Sequence, residues 1–96
     1  MYKPLPSCIT IKVSSIHGLG LFAAEQIAKG EMLGISHIRD DRFENGYIRT
    51  PLGGFYNHSE NPNCKTVADG EFRLLITLRT IETGEELTAV YTLYKL

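Results

Sequence analysis

Three short segments combine residue types and spacings that could do chemistry. In His17-Gly18-Leu19-Gly20-Leu21-Phe22-Ala23, two glycines bracket Leu19. Glycine there permits φ values closed to other residues and lets the amino-acid end of a ligand approach bare main chain. Taken alone, such a G-x-G is a turn, because a dinucleotide fingerprint also needs a third glycine, a following helix and a distant acid. In Asn57-His58-Ser59-Glu60-Asn61-Pro62-Asn63-Cys64, Asn57 offers donor and acceptor together and His58 offers ring and main-chain groups. The apolar Phe55 and Tyr56 precede them, a mixture suited to a polar ligand held against an apolar wall, although a tight Asx turn would have the same composition. In Gly84-Glu85-Glu86-Leu87-Thr88-Ala89-Val90-Tyr91, the acids read as a solvated turn entering a strand, with Glu86 facing out. The phenol of Tyr91 gains chemical meaning only in a cavity shared with the other two segments.

The elements that must position these segments follow a period of two. Ile9, Ile11 and Val13 alternate with Thr10 and Lys12, which predicts a first strand with one face inward. Leu21-Phe22-Ala23 and Met32 to Ile38, the latter after the turn Lys29-Gly30, read as further strands. Cys64 to Ala68 and Glu71 to Leu78 flank Asp69-Gly70, a pair that supplies positive φ for a two-residue hairpin turn. Glu86 to Tyr91 forms a last strand, and Arg39 to Gly54 is polar and poorly periodic, a loop with one helical turn. The class is mostly β with little helix, and periodicity leaves barrels, sandwiches and folded clips open.

Composition bounds the function. Ninety-six residues with 43% hydrophobic content predict a single domain over 1–96. Ten basic against eleven acidic residues give a formal charge of −1, so no basic field points to direct nucleic-acid binding. No secretory core or twenty-residue apolar span is present, which predicts a soluble intracellular protein, cytoplasmic or nuclear, with no membrane contact. Cys8 and Cys64 stand apart with no C-x-x-C spacing, and His17, His37 and His58 share no i, i+4 pairing. Two free, largely buried thiols and no metal site are expected.

Read in order, the G-x-G-hydrophobic-Phe-Ala start, the central Asn-His-Ser with Pro-Asn-Cys, and the closing Gly-Glu-Glu-Leu-Thr-x-x-Tyr resemble the SET-domain protein lysine methyltransferases. Ile27-Ala28-Lys29-Gly30-Glu31 is similar to that family's Lys-Gly-Glu turn, and the resemblance runs from about Ile9 to Tyr91. It implies a SET-type β-clip of small sheets with a C-terminal pseudoknot that brings the second and third motifs together. It also implies S-adenosylmethionine as cofactor. By motif position, the main chain around His17, Gly18, Leu19 and Gly20 would hold its methionine part. Asn57 would add side-chain contacts, His58 would hold the adenine through its main chain, and Tyr91 would be the catalytic tyrosine beside the transferred methyl.

The activity so implied is methyl transfer to a lysine side chain of a protein or peptide such as a histone. The alternative is a non-catalytic SET-like module that binds cofactor or peptide. Two departures bear on substrate: only eighteen residues separate Ile38 from Asn57, and the sequence carries no cysteine-rich post-SET zinc segment after Tyr91. Tyr94 and Leu96 remain as lid material. Compact viral relatives complete such a surface with a second subunit, so a homodimer built on Tyr47 to Phe55 or Leu93 to Leu96 is expected. Arg39-Asp40-Asp41-Arg42 reads as solvated loop, and Glu82, Glu85 and Glu86 as a rim able to attract a basic peptide.

Overall fold

The computed structural model describes residues 5–43 and 46–90. Among the described residues, eight strands and one short helix follow each other: β1 (Ile9–Val13), β2 (Leu19–Ala23), β3 (Met32–Arg39), β4 (Tyr47–Arg49), α1 (Pro51–Gly54), β5 (Asn57–His58), β6 (Cys64–Asp69), β7 (Phe72–Thr77) and β8 (Thr88–Ala89). They form three small sheets, β1-β2, β4-β3-β7-β6 and β5-β8. This is the mostly β, helix-poor class expected from the alternation.

The hairpin β6-β7 pairs Asp69 with Phe72, so its two turn residues are Gly70 and Glu71. Gly70 at φ +61° takes the first central position, one residue later than the Asp69-Gly70 turn read from the sequence. In β7, Leu75 and Thr77 point into the core, while Phe72 on the opposite face is 39% exposed. Thr77 closes the Lys29-Gly30 turn. Its hydroxyl donates to the Ala28 carbonyl at 2.7 Å and accepts the Glu31 amide at 2.9 Å.

Three expectations need correction. The first strand buries only its start, since Ile9 is in the core and Val13 is 80% exposed. The segment 39–54 is more ordered than a loop, because Tyr47–Arg49 pairs with His37–Arg39 of β3. The polarity of that segment hid a strand of only three residues. Thr50 then leads into α1 by donating its hydroxyl to the carbonyls of Ile35 and Ser36 at 2.6 and 3.1 Å, with Pro51 in the first turn and Leu52 buried. The last strand is shorter than read, Thr88–Ala89, preceded by a bridge between Phe22 and Glu86.

The core joins the sheets through Ile9, Leu21, Ile27, Leu33, Leu52, Leu75, Ile81 and Leu87, all buried. Strand β8 is central to this arrangement. It lies parallel to β5, with Asn57 opposite Thr88 and His58 opposite Ala89. The Leu87 amide also donates to the Leu21 carbonyl at 2.8 Å. The residues just before β8 bond to β2 and β8 itself pairs parallel with β5, across 29 intervening residues of chain, which accounts for the meeting of the second and third motifs. No helix among the described residues is long and apolar enough to cross a membrane.

Candidate functional site

The first and second motifs meet through one side chain. Asn57, 6% exposed, donates through Nδ2 to the carbonyl of His17 at 3.1 Å, to that of Leu19 at 3.3 Å, and to Oε2 of Glu86 at 2.7 Å. An amide nitrogen has two hydrogens, so these three acceptors share them. The loop that Asn57 grips is closed on itself, for the Ser14 amide donates to the Gly18 carbonyl at 2.8 Å. The Ser14 hydroxyl also accepts the Ile16 amide at 2.9 Å.

The two glycines of the loop do different work. Gly18 has φ +48° with nothing within 4 Å of where a Cβ would stand, so it supplies the left-handed turn and an open main-chain face. At Gly20 a Cβ would run into the carboxylate of Glu86 and lie 3.2 Å from Asn57 Nδ2. Its missing side chain makes room for an acid of the third motif. Leu19, between them, is 49% exposed, and His17 is exposed as well.

Glu86 therefore turns inward, contrary to the outward orientation read from the sequence. Its carboxylate accepts the Ser14 hydroxyl, 2.8 Å from each oxygen, as well as the Asn57 amide. The reason lies in the main chain. Glu86 bridges antiparallel to Phe22, and its carbonyl accepts Asn63 Nδ2 at 2.7 Å, which leaves the side chain aimed at the glycine loop. Asn63, 3% exposed, acts as a clamp on the strand that follows, since its Oδ1 accepts the Thr88 amide at 2.8 Å and its main-chain N–H donates to the Thr88 hydroxyl at 3.3 Å.

Of the candidate residues, His17, Gly18, Leu19, Gly20 and Asn57 form one cluster, and His58 lies beside it on the β5-β8 ladder, half-buried. Tyr91 lies outside the described residues, as do Tyr94, Leu96 and the segment Leu93 to Leu96. Sequence reasoning missed Ser14, Glu86 and Asn63 as members of the cluster. Glu86 and Asn63 stood within the quoted motifs, but the close approach of Glu86 to Gly20 shows only in the folded chain.

Several other charges are occupied locally. Arg79 contacts Glu85 at 3.1 Å, and the Glu82 amide and Arg79 hold the Glu85 carboxyl below its usual range. Glu82 accepts Gln26 Nε2 at 2.9 Å. With Glu86 inward, the three acids do not form an open rim. Arg42 holds Asp40 at 2.6 Å and lowers its pKa to about 2, in keeping with a solvated loop. Cys8 and Cys64 are free thiols, and burial pushes Cys64 up to about 12. Within Tyr47 to Phe55 the large apolar side chains are partly or fully buried, and exposed ones lie elsewhere, among them Val13, Ile16, Leu19, Met32, Ile35 and Phe72.

Residues 36–92, more than half of the chain, match the family model for the SET domain. The chain belongs to the SET domain family. Among curated relatives, this SET domain is 33% identical over 110 residues to the Caenorhabditis elegans histone-lysine N-methyltransferase set-2, covering 81% of the chain and 7% of that protein. It is 49% identical over 41 residues to the mouse histone-lysine N-methyltransferase SMYD3, covering 43% of the chain and 10% of that protein. The chain thus spans a tenth or less of these relatives. Its fold matches a candidate histone methyltransferase of Plasmodium falciparum with TM-score 0.72 at 24% identity, over 90% of this chain and 94% of the other. The methyltransferase domain of human PR domain-containing protein 2 gives TM-score 0.72 at 18% identity, over 88% and 77%.

Proposed function

We propose that this SET domain binds S-adenosylmethionine and transfers its methyl group to a lysine side chain of a protein. The observation that carries the reading is the Asn57 amide holding the main chain of the His17–Gly20 loop, forty residues away in sequence, at the place where β8 joins β5. The acceptors gathered there fit the ammonium end of an amino-acid ligand. The carbonyls of His17 and Leu19 each keep a lone pair beyond the one Asn57 uses.

When bound, the cofactor supplies a sulfonium-activated methyl group open to in-line displacement by a neutral amine. The protein's share is positional. The loop and Asn57 hold the amino-acid end, the main chain of His58 holds the adenine, and Tyr91 steers the lysine amine by its hydroxyl. Fixing two reactants in near-attack geometry contributes roughly 7–11 kcal/mol, so no acid–base dyad is required. Lysine has a free pKa of about 10.4, and an apolar channel beside a positive charge disfavours its ammonium form. Histones are the first substrate class to try, because the curated relatives carry that activity in their names.

The test is transfer of labelled methyl from S-adenosylmethionine to histones and to a mixed lysate, by the wild type and by Tyr91→Phe. The reading expects transfer by the wild type and near-loss with retained cofactor binding in the variant. Unchanged activity in Tyr91→Phe would remove the tyrosine from its role. Binding without any transfer would favour the non-catalytic module.

A further inference from the structure

The glycine loop is held in place from the far end of the chain by one carboxylate. Glu86 touches it at three points: the Ser14 hydroxyl at its base, the Asn57 amide that grips its carbonyls, and the vacant side of Gly20. Only the combination of a fixed backbone at position 86 and a missing Cβ at position 20 allows the carboxylate to sit between loop and amide. With Asn57 Nδ2 drawn to Glu86 and to the two carbonyls, the orientation of the carboxamide is set and its Oδ1 is left outside this network.

We infer that Glu86 is a positioning residue of the cofactor site: it fixes the Ser14–Gly20 loop and the Asn57 carboxamide in the arrangement that binds the amino-acid end of the ligand. The inference rests on the functional reading above for the identity of the ligand, and on the structure alone for the loop. Because Glu86 acts through Asn57 and the loop, its loss weakens cofactor binding and leaves the chemical step nearly intact once the site is filled. A general loss of fold would instead lower the melting temperature and the active fraction together.

Glu86→Gln and Ser14→Ala test this on the full chain, with three readouts. Calorimetric titration with S-adenosylmethionine is expected to show about a tenfold weaker Kd for Glu86→Gln and about a threefold weaker one for Ser14→Ala, each such factor being 1.4 kcal/mol per tenfold. Steady-state kinetics should place the loss in KM for the cofactor, with kcat within about twofold. Hydrogen exchange without any ligand should show the Ser14 and Ile16 amides exchanging at least tenfold faster in Glu86→Gln, while core amides such as that of Leu75 are unchanged. Failure of the wild type to bind the cofactor overturns the functional reading and leaves the exchange result to judge the loop. Unchanged loop exchange in both variants overturns the inference, as does a loss that falls wholly on kcat. Should Glu86→Gln fail to fold, the Kd of Ser14→Ala and the exchange of its position-14 amide, which keeps its bond to the Gly18 carbonyl, decide alone, the Ile16 amide being set aside because it loses its own acceptor.

Discussion

Asn63→Ala should be the most damaging single substitution of a polar side chain in this domain. Asn63 satisfies two main-chain groups of the incoming strand, the Glu86 carbonyl at 2.7 Å and the Thr88 amide at 2.8 Å, and both it and Thr88 are buried. Truncation leaves both without a partner, at about 1–3 kcal/mol each, or roughly 4 kcal/mol together. A 96-residue chain has a total stability of about 5–14 kcal/mol, so the change removes a large fraction of it. At about 4–8 °C per kcal/mol for a domain of this size, Tm should fall by roughly 15–30 °C. Urea melts should show a lower midpoint at unchanged slope. Asn63→Asp separates the two bonds, since it keeps the acceptor for Thr88 but sets a carboxylate against the Glu86 carbonyl, and should be at least as unstable at neutral pH. A Tm drop of under about 5 °C for Asn63→Ala would mean that water replaces the clamp, and that β8 is held by its ladder and Leu87 instead.

Other consequences follow from single residues. His37 is fully buried; burial, then the charges of Arg73 and Arg49, lower its pKa to about 4. The unfolded chain, with a histidine near 6.5, takes up this proton first, so His37 contributes stability in full above about 6.5 that is lost as pH falls towards 4, about 3 kcal/mol in all. Urea melts at pH 7, 5.5 and 4 should show this loss, and His37→Gln should lessen the slope; a pH-independent difference between the two would refute it. At Gly53 an added Cβ would strike the main-chain carbonyl of Ser36, whereas Gly54 has open space, so Gly53→Ala should cost several kcal/mol and Gly54→Ala under about 1 kcal/mol. Equal melts for the two would contradict this packing. Cys64, 1% exposed and with its pKa raised to about 12, should resist alkylation in the folded protein and react only on unfolding, which mass spectrometry of partly labelled protein can follow.

The strands whose alternation meets a core were legible: β3 and the β6-β7 hairpin stand within a residue of the bounds read from the sequence, and β2 begins two residues before Leu21. Tyr47–Arg49 was not, because three residues carry no period and their pairing is decided by β3. The G-x-G loop and Asn57 were legible as motifs, while their meeting depends on long-range contacts between β2, β5 and β8 that no local pattern encodes. Glu86 was misread for a physical reason. Two adjacent acids after a glycine have the composition of a solvated turn, and only the bridge to Phe22 and the clamp from Asn63 decide that the second one points inward. Position 85 fits the ordinary expectation better, with its carboxylate at the surface against Arg79.

The account is tested most directly by calorimetric titration of S-adenosylmethionine into the wild type and into Asn57→Ala. It predicts one-site binding by the wild type and a loss of at least tenfold in the variant, whose circular dichroism stays that of a folded β protein. Absence of binding by a folded wild type, or equal binding by both, would contradict the assignment of this loop and this amide to the cofactor.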